Sequence, residues 1–324
     1  MPANLPPQYF EAEKSFRLAK SPAEKILALE EMLAIMPKHK GTDHLRAELR
    51  TRIAKLTQMA AKKSGVHRAS MVVEKEGAAQ IAVIGLPNAG KSQLISSITN
   101  ASPAVAEYPF TTHSVTPGMM EFENIKIQLI DTPPLAPQSI EFWMPHMLRR
   151  ADALLVVVDL GISTPVQMEE IMAQLEKMRI RIASGRVEEE SISNQQRALI
   201  IGNKLDLDRA RQNYAALRDG YKGRLPVMAV SAREGAGLEE LRHEVYRVLD
   251  IVRVYTKAPG EKPDFTDPII LRRGSTLDDA AASVHKDFRV GLKYARIWGS
   301  GKHDGVMAKK GHILQDGDII ELHL

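Results

Sequence analysis

Residues 85–92 read Gly85-Leu86-Pro87-Asn88-Ala89-Gly90-Lys91-Ser92, the spacing G-x-x-x-x-G-K-[ST]. Glycine is required where backbone amides turn inward around phosphate oxygens. A helix opening at such a loop adds partial positive charge, a lysine reaches the β- and γ-phosphates, and a serine hydroxyl serves Mg²⁺. The apolar run Ile81–Gly85 before the loop reads as a strand and the segment from Ser92 as a helix, the context this motif demands. Working outward, short apolar runs alternate with amphipathic segments, the pattern of a parallel sheet covered by helices. Strands are expected at Ile81–Gly85, Ile125–Asp131, Leu154–Asp159, Ala198–Gly202 and Val227–Ser231, with Gly118–Asn124 pairing antiparallel to the segment ending at Asp131. Helices are expected at Ser139–Arg150, Val166–Ile182 and Leu238–Leu249. The fold class is α/β, built around a P-loop domain.

Other elements fall where a guanine-nucleotide site needs them. Asn203-Lys204-Leu205-Asp206 closes the Ala198–Gly202 strand. A carboxylate there accepts two hydrogen bonds from the ring and amino N–H groups of guanine; adenine offers no such pair, and an acceptor left unpaired is costly. Ser231-Ala232 follows the last strand, where the Ala232 amide can meet the guanine carbonyl. Asp131-Thr132-Pro133-Pro134 stands where D-x-x-G is usual, so Asp131 is expected to hold Mg²⁺ through water. Pro134 has no N–H with which to sense a γ-phosphate, and Leu135 occupies the place of a water-orienting glutamine. Phe110-Thr111-Thr112 precedes the next strand, and Thr112 is the favoured threonine ligand for Mg²⁺. The nucleotide-binding set is Gly85, Asn88, Ala89, Gly90, Lys91, Ser92, Gln93, Asp131, Asn203, Lys204, Asp206, Ser231 and Ala232. Lys91 and Thr112 are the catalytic candidates, and Ser92, Thr112 and Asp131 the metal ligands.

The 324 residues suffice for two or three domains. With no cysteine, disulfides, thiolate metal sites and cysteine nucleophiles are excluded. Met1–Phe10 lacks the features of a signal peptide, and no run approaches the roughly 18 apolar residues of a membrane span. A soluble, cytoplasmic protein without membrane contact is expected. The net charge of +4 is uneven: residues 1–75 hold 14 Lys+Arg against 8 Asp+Glu, whereas residues 76–258 hold 20 against 22. A basic N-terminal segment carrying Arg46, Arg50 and Lys55 suits a phosphate backbone, and equally a solvated helix face. That segment reads as a helical hairpin, one helix opening at Ser21-Pro22 and the next at Asp43. Residues 256–268, TKAPGEKPDFTDP, read as a linker. The small unit after it has a strand at Pro268–Arg272, a helix capped by Ser275 with Asp278, and a last strand after the Asp316-Gly317 turn. The expected division is a helical hairpin region at 1–75, a P-loop domain at 76–255, the linker at 256–268 and the terminal unit at 269–324. Ten histidines show no metal-ligand spacing. Trp143 and Trp298 are expected to pack in cores. Arg272-Arg273 and Lys309-Lys310 suit an RNA face or ordinary surface equally.

The P-loop, YPFTT, NKLD and SAREGAGL together resemble the Obg-type translation-associated GTPases, and within them the developmentally regulated GTP-binding proteins. EEMLAIMPKHKGTDHLRAELRTRIAKL, VRVYTKAPGEKPDFTDPIILRRGSTLDDAA and HKDFRVGLKYARIWGSGKHDG agree with the same family, the last two with its TGS domain, a small β-grasp fold. The resemblance implies a switch that binds GTP and GDP, hydrolyses GTP slowly with Mg²⁺ and without the usual glutamine, and acts on the ribosome or structured RNA, with a regulatory protein as a further partner. A scaffold or adaptor that binds GTP without hydrolysis is the alternative. Asn88 stands where resembling potassium-stimulated GTPases carry an asparagine that ligates K⁺; bracing the loop is its other reading. Two departures stand out. The 72 positions from Asp131 to Asn203 leave no room for the small domain the family's eukaryotic and archaeal members insert, and Pro134 breaks D-L-P-G.

Overall fold

The computed structural model describes residues 6–19, 22–36, 42–64, 73–99, 116–136, 140–141, 143–183, 195–284, 288, 291–301 and 303–323. The chain opens with three helices, α1 (Pro7–Leu18), α2 (Pro22–Ile35) and α3 (Asp43–Ser64). The expected hairpin corresponds to α2 and α3, and α1 adds a third helix. Tyr9 and Ala12 of α1 pack with Leu29 and Met32 of α2, and with Met36 and Leu49, into one small core.

The central domain follows as β1 (Ala79–Gly85), α4 (Lys91–Ile98), β2 (Thr116–Phe122), β3 (Ile125–Asp131), α5 (Met144–Arg150), β4 (Ala153–Asp159), α6 (Thr164–Lys177), β5 (Arg181–Ala183), β6 (Gln195–Asn203), α7 (Ala210–Tyr221), β7 (Val227–Ala229) and α8 (Leu238–Leu249). Its sheet runs β2-β3-β1-β4-β6-β5, with β7 also beside β6. All pairings are parallel except β2 with β3, whose antiparallel register sets Thr116 opposite Asp131. Successive side chains of a strand face opposite ways, so the sheet feeds two cores. Ala82, Ile84, Leu154 and Val156 meet Trp143, Ile171 and Leu217 on one face. Ile81, Val83, Leu155 and Val157 meet Leu94, Ile98, Leu241 and Val245 on the other. The strand expected to stop at Ser231 ends as regular pairing at Ala229, and the helix expected to reach Ile182 stops at Lys177, before β5.

The last unit is β8 (Ile251–Thr256), β9 (Asp264–Arg272), α9 (Leu277–Val284), β10 (Tyr294–Trp298), β11 (Val306–Ala308) and β12 (Asp318–His323), in the sheet order β11-β10-β12-β8-β9. This moves the expected boundary. Residues 251–256 form a strand of the second sheet, and β9 starts at Asp264, inside the expected linker, because Val252 and Val254 bury against Leu271 and Ile320. The helix cap also lies one residue later than expected: Thr276 and Asp279 exchange the capping bonds, with Thr276 N and Oγ1 each donating to Asp279 Oδ2 at 2.8 Å. Trp298 is half-buried under the Lys257 ammonium, 4.3 Å from the ring centroid, and is no core residue.

Candidate functional site

The carboxyl ends of parallel strands are where an open α/β sheet binds ligands, and β1, β3 and β6 end there on the candidate residues Gly85, Asp131 and Asn203. At β1 the loop turns at Asn88 and Gly90, both in the left-handed region at φ 62° and 86°. A Cβ on Gly90 would run into Asn203 Nδ2, and one on Gly85 into the Val157 carbonyl. Glycine is therefore needed at both ends of the loop for space. Gly90 then leads into α4 as its N-cap, with no side chain capping that helix start. Asn88 is exposed at the tip, and Gln93 is exposed on the first turn of α4.

Lys91 is buried, and its Nζ donates to the Gly85 and Leu86 carbonyls at 3.3 Å each. Burial draws its pKa below the ordinary lysine value, with Asp131 pulling the other way. Ser92 Oγ donates to Asp131 Oδ2, linking the loop to the end of β3. The other carboxylate oxygen, Asp131 Oδ1, is buried with no hydrogen-bond partner among the described residues. Burial raises the Asp131 pKa against the Ser92 hydroxyl and the Lys91 charge. An unpaired anionic oxygen beside a serine hydroxyl is the donor set of a hard divalent cation that keeps several waters. The residues present therefore fit Mg²⁺. Thr112 lies outside the described residues.

After Asp131 the chain is tied down rather than free. Thr132 Oγ1 donates to the Val83 carbonyl at 2.8 Å, and the Leu135 amide donates to the Gly85 carbonyl at 3.0 Å. The Leu135 side chain is fully buried in the core with Trp143 and Met144. Leu135 thus points away from the phosphate loop, and its amide makes the contact to β1 that proline at 134 cannot.

Asn203, 1% exposed, braces the site. Its Nδ2 donates to the Ala89 carbonyl at 3.0 Å, and its Oδ1 accepts the Ala232 amide at 3.1 Å. The phosphate loop and the Ser231-Ala232 turn are thereby held by one side chain. Ser231 Oγ donates to Asp206 Oδ1 at 2.6 Å, and this bond holds the Asp206 pKa below the usual carboxylate value, so the group stays an acceptor. Lys204, at φ 68°, sends its ammonium to Asp159 Oδ2 at 2.5 Å. Asp159 was absent from the sequence-based set. Its Oδ1 accepts the Gly161 amide, and Gln167 clamps its backbone N–H and carbonyl. The available signal was a carboxylate closing a wholly apolar strand at the ligand-binding edge. The described residues of the set, Gln93 apart, thus join through direct contacts or backbone continuity; Gln93 only borders them.

Fold and site together define a P-loop G domain followed by a β-grasp domain. The family model described as 50S ribosome-binding GTPase matches residues 80–201, and that of the TGS domain matches residues 252–324. An uncharacterised GTP-binding protein of Methanocaldococcus jannaschii is 29% identical, with 92% of each chain covered. The developmentally-regulated GTP-binding protein 2 homolog of Dictyostelium discoideum is 27% identical, and ribosome-interacting GTPase 1 of Saccharomyces cerevisiae 26%. Each alignment covers 92% of this chain and 98% of the relative. The chain is similar over nearly its whole length to developmentally regulated GTP-binding proteins, and its matched G and TGS domains support GTP binding. The Dictyostelium relative carries that narrower name, so the Obg-type heading is broader than the likeness requires. No described helix is long and apolar enough to cross a membrane.

Proposed function

We propose that this GTP-binding protein is a switch that hydrolyses GTP slowly with Mg²⁺ and acts in the cytoplasm on the ribosome or its RNA. The observation carrying the reading is the Ser92–Asp131 contact with Asp131 Oδ1 unpaired beside Lys91. The loop amides of Gly85, Asn88, Ala89 and Gly90 cradle the phosphates, Gln93 borders the cradle, and Lys91 neutralises charge on the β- and γ-phosphates. Ser92, Asp131 and Thr112 hold Mg²⁺. When bound, the metal supplies charge stabilisation to the transferring phosphoryl group. Asp206 accepts from the guanine N–H groups, Ala232 donates to the guanine carbonyl, Ser231 orients Asp206, and Lys204 is steadied by Asp159. The site lowers the barrier by position and charge. Slow turnover follows from Leu135, sunk in the core, and Pro134, without an N–H, since neither can orient water.

The ribosomal assignment draws on the printed name of the yeast relative and on the basic helices. Arg50 and Lys55 are exposed, whereas Arg46 donates to the Met36 carbonyl at 3.0 Å and serves the helical fold. The proposed division is a helical region through residue 64, a G domain from about 76 to 249 and a TGS domain from 251. A regulatory protein remains part of the proposal as the source of a further catalytic group. Multiple-turnover phosphate release in Mg²⁺ and in EDTA, beside co-sedimentation with ribosomes, tests the reading. Metal-dependent release abolished by Lys91→Ala supports it. Tight GTP binding without release favours the scaffold or adaptor, a reading that Leu135 and Pro134 recommend.

A further inference from the structure

The β2–β3 hairpin is gripped at both ends. At one end lie Asp131 and its pairing partner Thr116. At the other, roughly 23 Å away for seven residues at ~3.3 Å each, lies the tight turn Glu123-Asn124, with Glu123 at φ 50°. That tip is held by the TGS sheet. Arg253 of β8, its side chain 10% exposed, pairs with Glu123 and donates Nη1 to Asn124 Oδ1 at 3.2 Å. Its other edge is bidentate to Asp316, Nε at 3.1 Å to Oδ1 and Nη2 at 2.8 Å to Oδ2, and its own amide donates to Oδ1 at 2.7 Å. Asn124 Nδ2 donates to the Tyr255 hydroxyl at 2.8 Å and the Phe265 carbonyl at 2.9 Å.

Helix α8 completes the clamp. Tyr246 donates its hydroxyl to Asp316 at 2.7 Å, stacks on Phe122 at 4.7 Å between centroids, and lies 5.1 Å below the Arg253 guanidinium. Arg242 donates to the Glu121 carbonyl at 3.1 Å. A planar guanidinium held by two carboxylates, an amide oxygen and an aromatic face has one orientation. β3 is paired to β2 along its whole length and to β1 from Ile127 to Asp131, so one continuous hydrogen-bonded strand joins the tip to Asp131.

We propose that Arg253 is a positioning residue for the nucleotide site: by fixing Glu123 and Asn124 it sets the β2–β3 hairpin, and through it the Mg²⁺-binding carboxylate of Asp131, so that TGS docking and triphosphate binding are coupled. This inference rests on the assignment of Asp131 to Mg²⁺. Coupling of this kind is reciprocal: what loosens the grip weakens metal-supported triphosphate binding, and triphosphate binding tightens the grip.

The test uses the full chain and measures dissociation constants for GDP and a non-hydrolysable GTP analogue, each in Mg²⁺ and in EDTA. Arg253→Ala and Asn124→Ala are expected to weaken analogue binding in Mg²⁺ about fivefold, a coupling typical of linked sites, and to leave binding in EDTA within about twofold. Arg253→Lys, which keeps the charge but loses the fork, falls between. In the unsubstituted protein, the analogue with Mg²⁺ slows amide exchange at residues 251–256 relative to GDP. Asn124→Ala leaves Arg253 and Asp316 paired, so it serves if Arg253→Ala misfolds. Unchanged constants in Asn124→Ala, or equal losses with and without Mg²⁺, overturn the coupling. Asp131→Ala separates the two readings: if it does not abolish the Mg²⁺ dependence, the metal assignment itself is wrong.

Discussion

Asn203→Ala removes a side chain that hydrogen-bonds both to the phosphate loop and to the Ala232 turn, and its cost can be worked from geometry. Two hydrogen bonds, at 3.0 and 3.1 Å, disappear from a position 1% exposed. They leave the Ala89 carbonyl and the Ala232 amide buried without these partners. Each such group costs about 1–3 kcal/mol. The space vacated by the amide admits a water that recovers part of this, so a loss of about 2–4 kcal/mol in unfolding free energy is expected. Urea unfolding followed by Trp143 fluorescence, in a Trp298→Phe background, reads it in the G domain. GDP affinity is expected to fall at least about tenfold, equivalent to about 1.4 kcal/mol, because base and phosphate contacts are no longer held in one frame. Asn203→Asp keeps the acceptor for Ala232 but sets a carboxylate against the Ala89 carbonyl, so it should be no milder. A stability change below about 0.5 kcal/mol, the range of ordinary surface substitutions, together with unaltered GDP binding, would refute the brace.

Three further outcomes are expected. Asp206→Asn should weaken GTP and GDP binding and shift preference toward xanthine nucleotides, read by competition binding; equal affinity of the unsubstituted protein for ATP and GTP would remove the basis for this. His146 is buried in α5 beside Arg149 and Arg150, and burial with those charges lowers its pKa to about 4. The unfolded chain therefore binds a proton that the folded one refuses between pH ~6.5 and ~4, so stability falls as pH falls through that window, by about 3 kcal/mol in all. His146→Gln should flatten the slope of unfolding free energy against pH there, and an unchanged slope would contradict the assignment. Finally, single-turnover hydrolysis should run faster in K⁺ than in Na⁺, with the difference lost in Asn88→Ala; matching rates would leave Asn88 as a structural turn residue at φ 62° and require a partner to supply the catalytic group.

Much of the candidate nucleotide site can be read from the sequence because its chemistry is local. A phosphate cradle is made by consecutive amides, so the proposed cradle from Gly85 to Ser92 lies within one stretch, and the proposed base-selecting residues Asn203 to Asp206 lie within another. The strands that carry them were legible too, since a parallel strand buried on both faces must be apolar throughout, as Ala153–Val158 is. What the sequence left open is where groups far apart in the chain meet. Leu135 reads as a missing glutamine until the fold turns it into the core and hands its amide to Gly85. Asp159 gains a role only when β4 and β6 lie side by side and bring Lys204 to it. The reach of β8 into the second sheet was missed by the boundary at 269, although the stretch from Val252 resembles a TGS domain, because its apolar residues follow α8 directly and pattern alone assigns them to the preceding domain. Arg253, Glu123 and Asp316 are ordinary surface charges by sequence. The pairing of β8 with β12 and the turn of β2 into β3 bring them together, and the burial of Arg253 then requires carboxylate partners for its guanidinium. Motifs lie in the chain wherever one short segment makes all the contacts; tertiary structure decides wherever desolvation, acting between distant segments, selects which charges must pair.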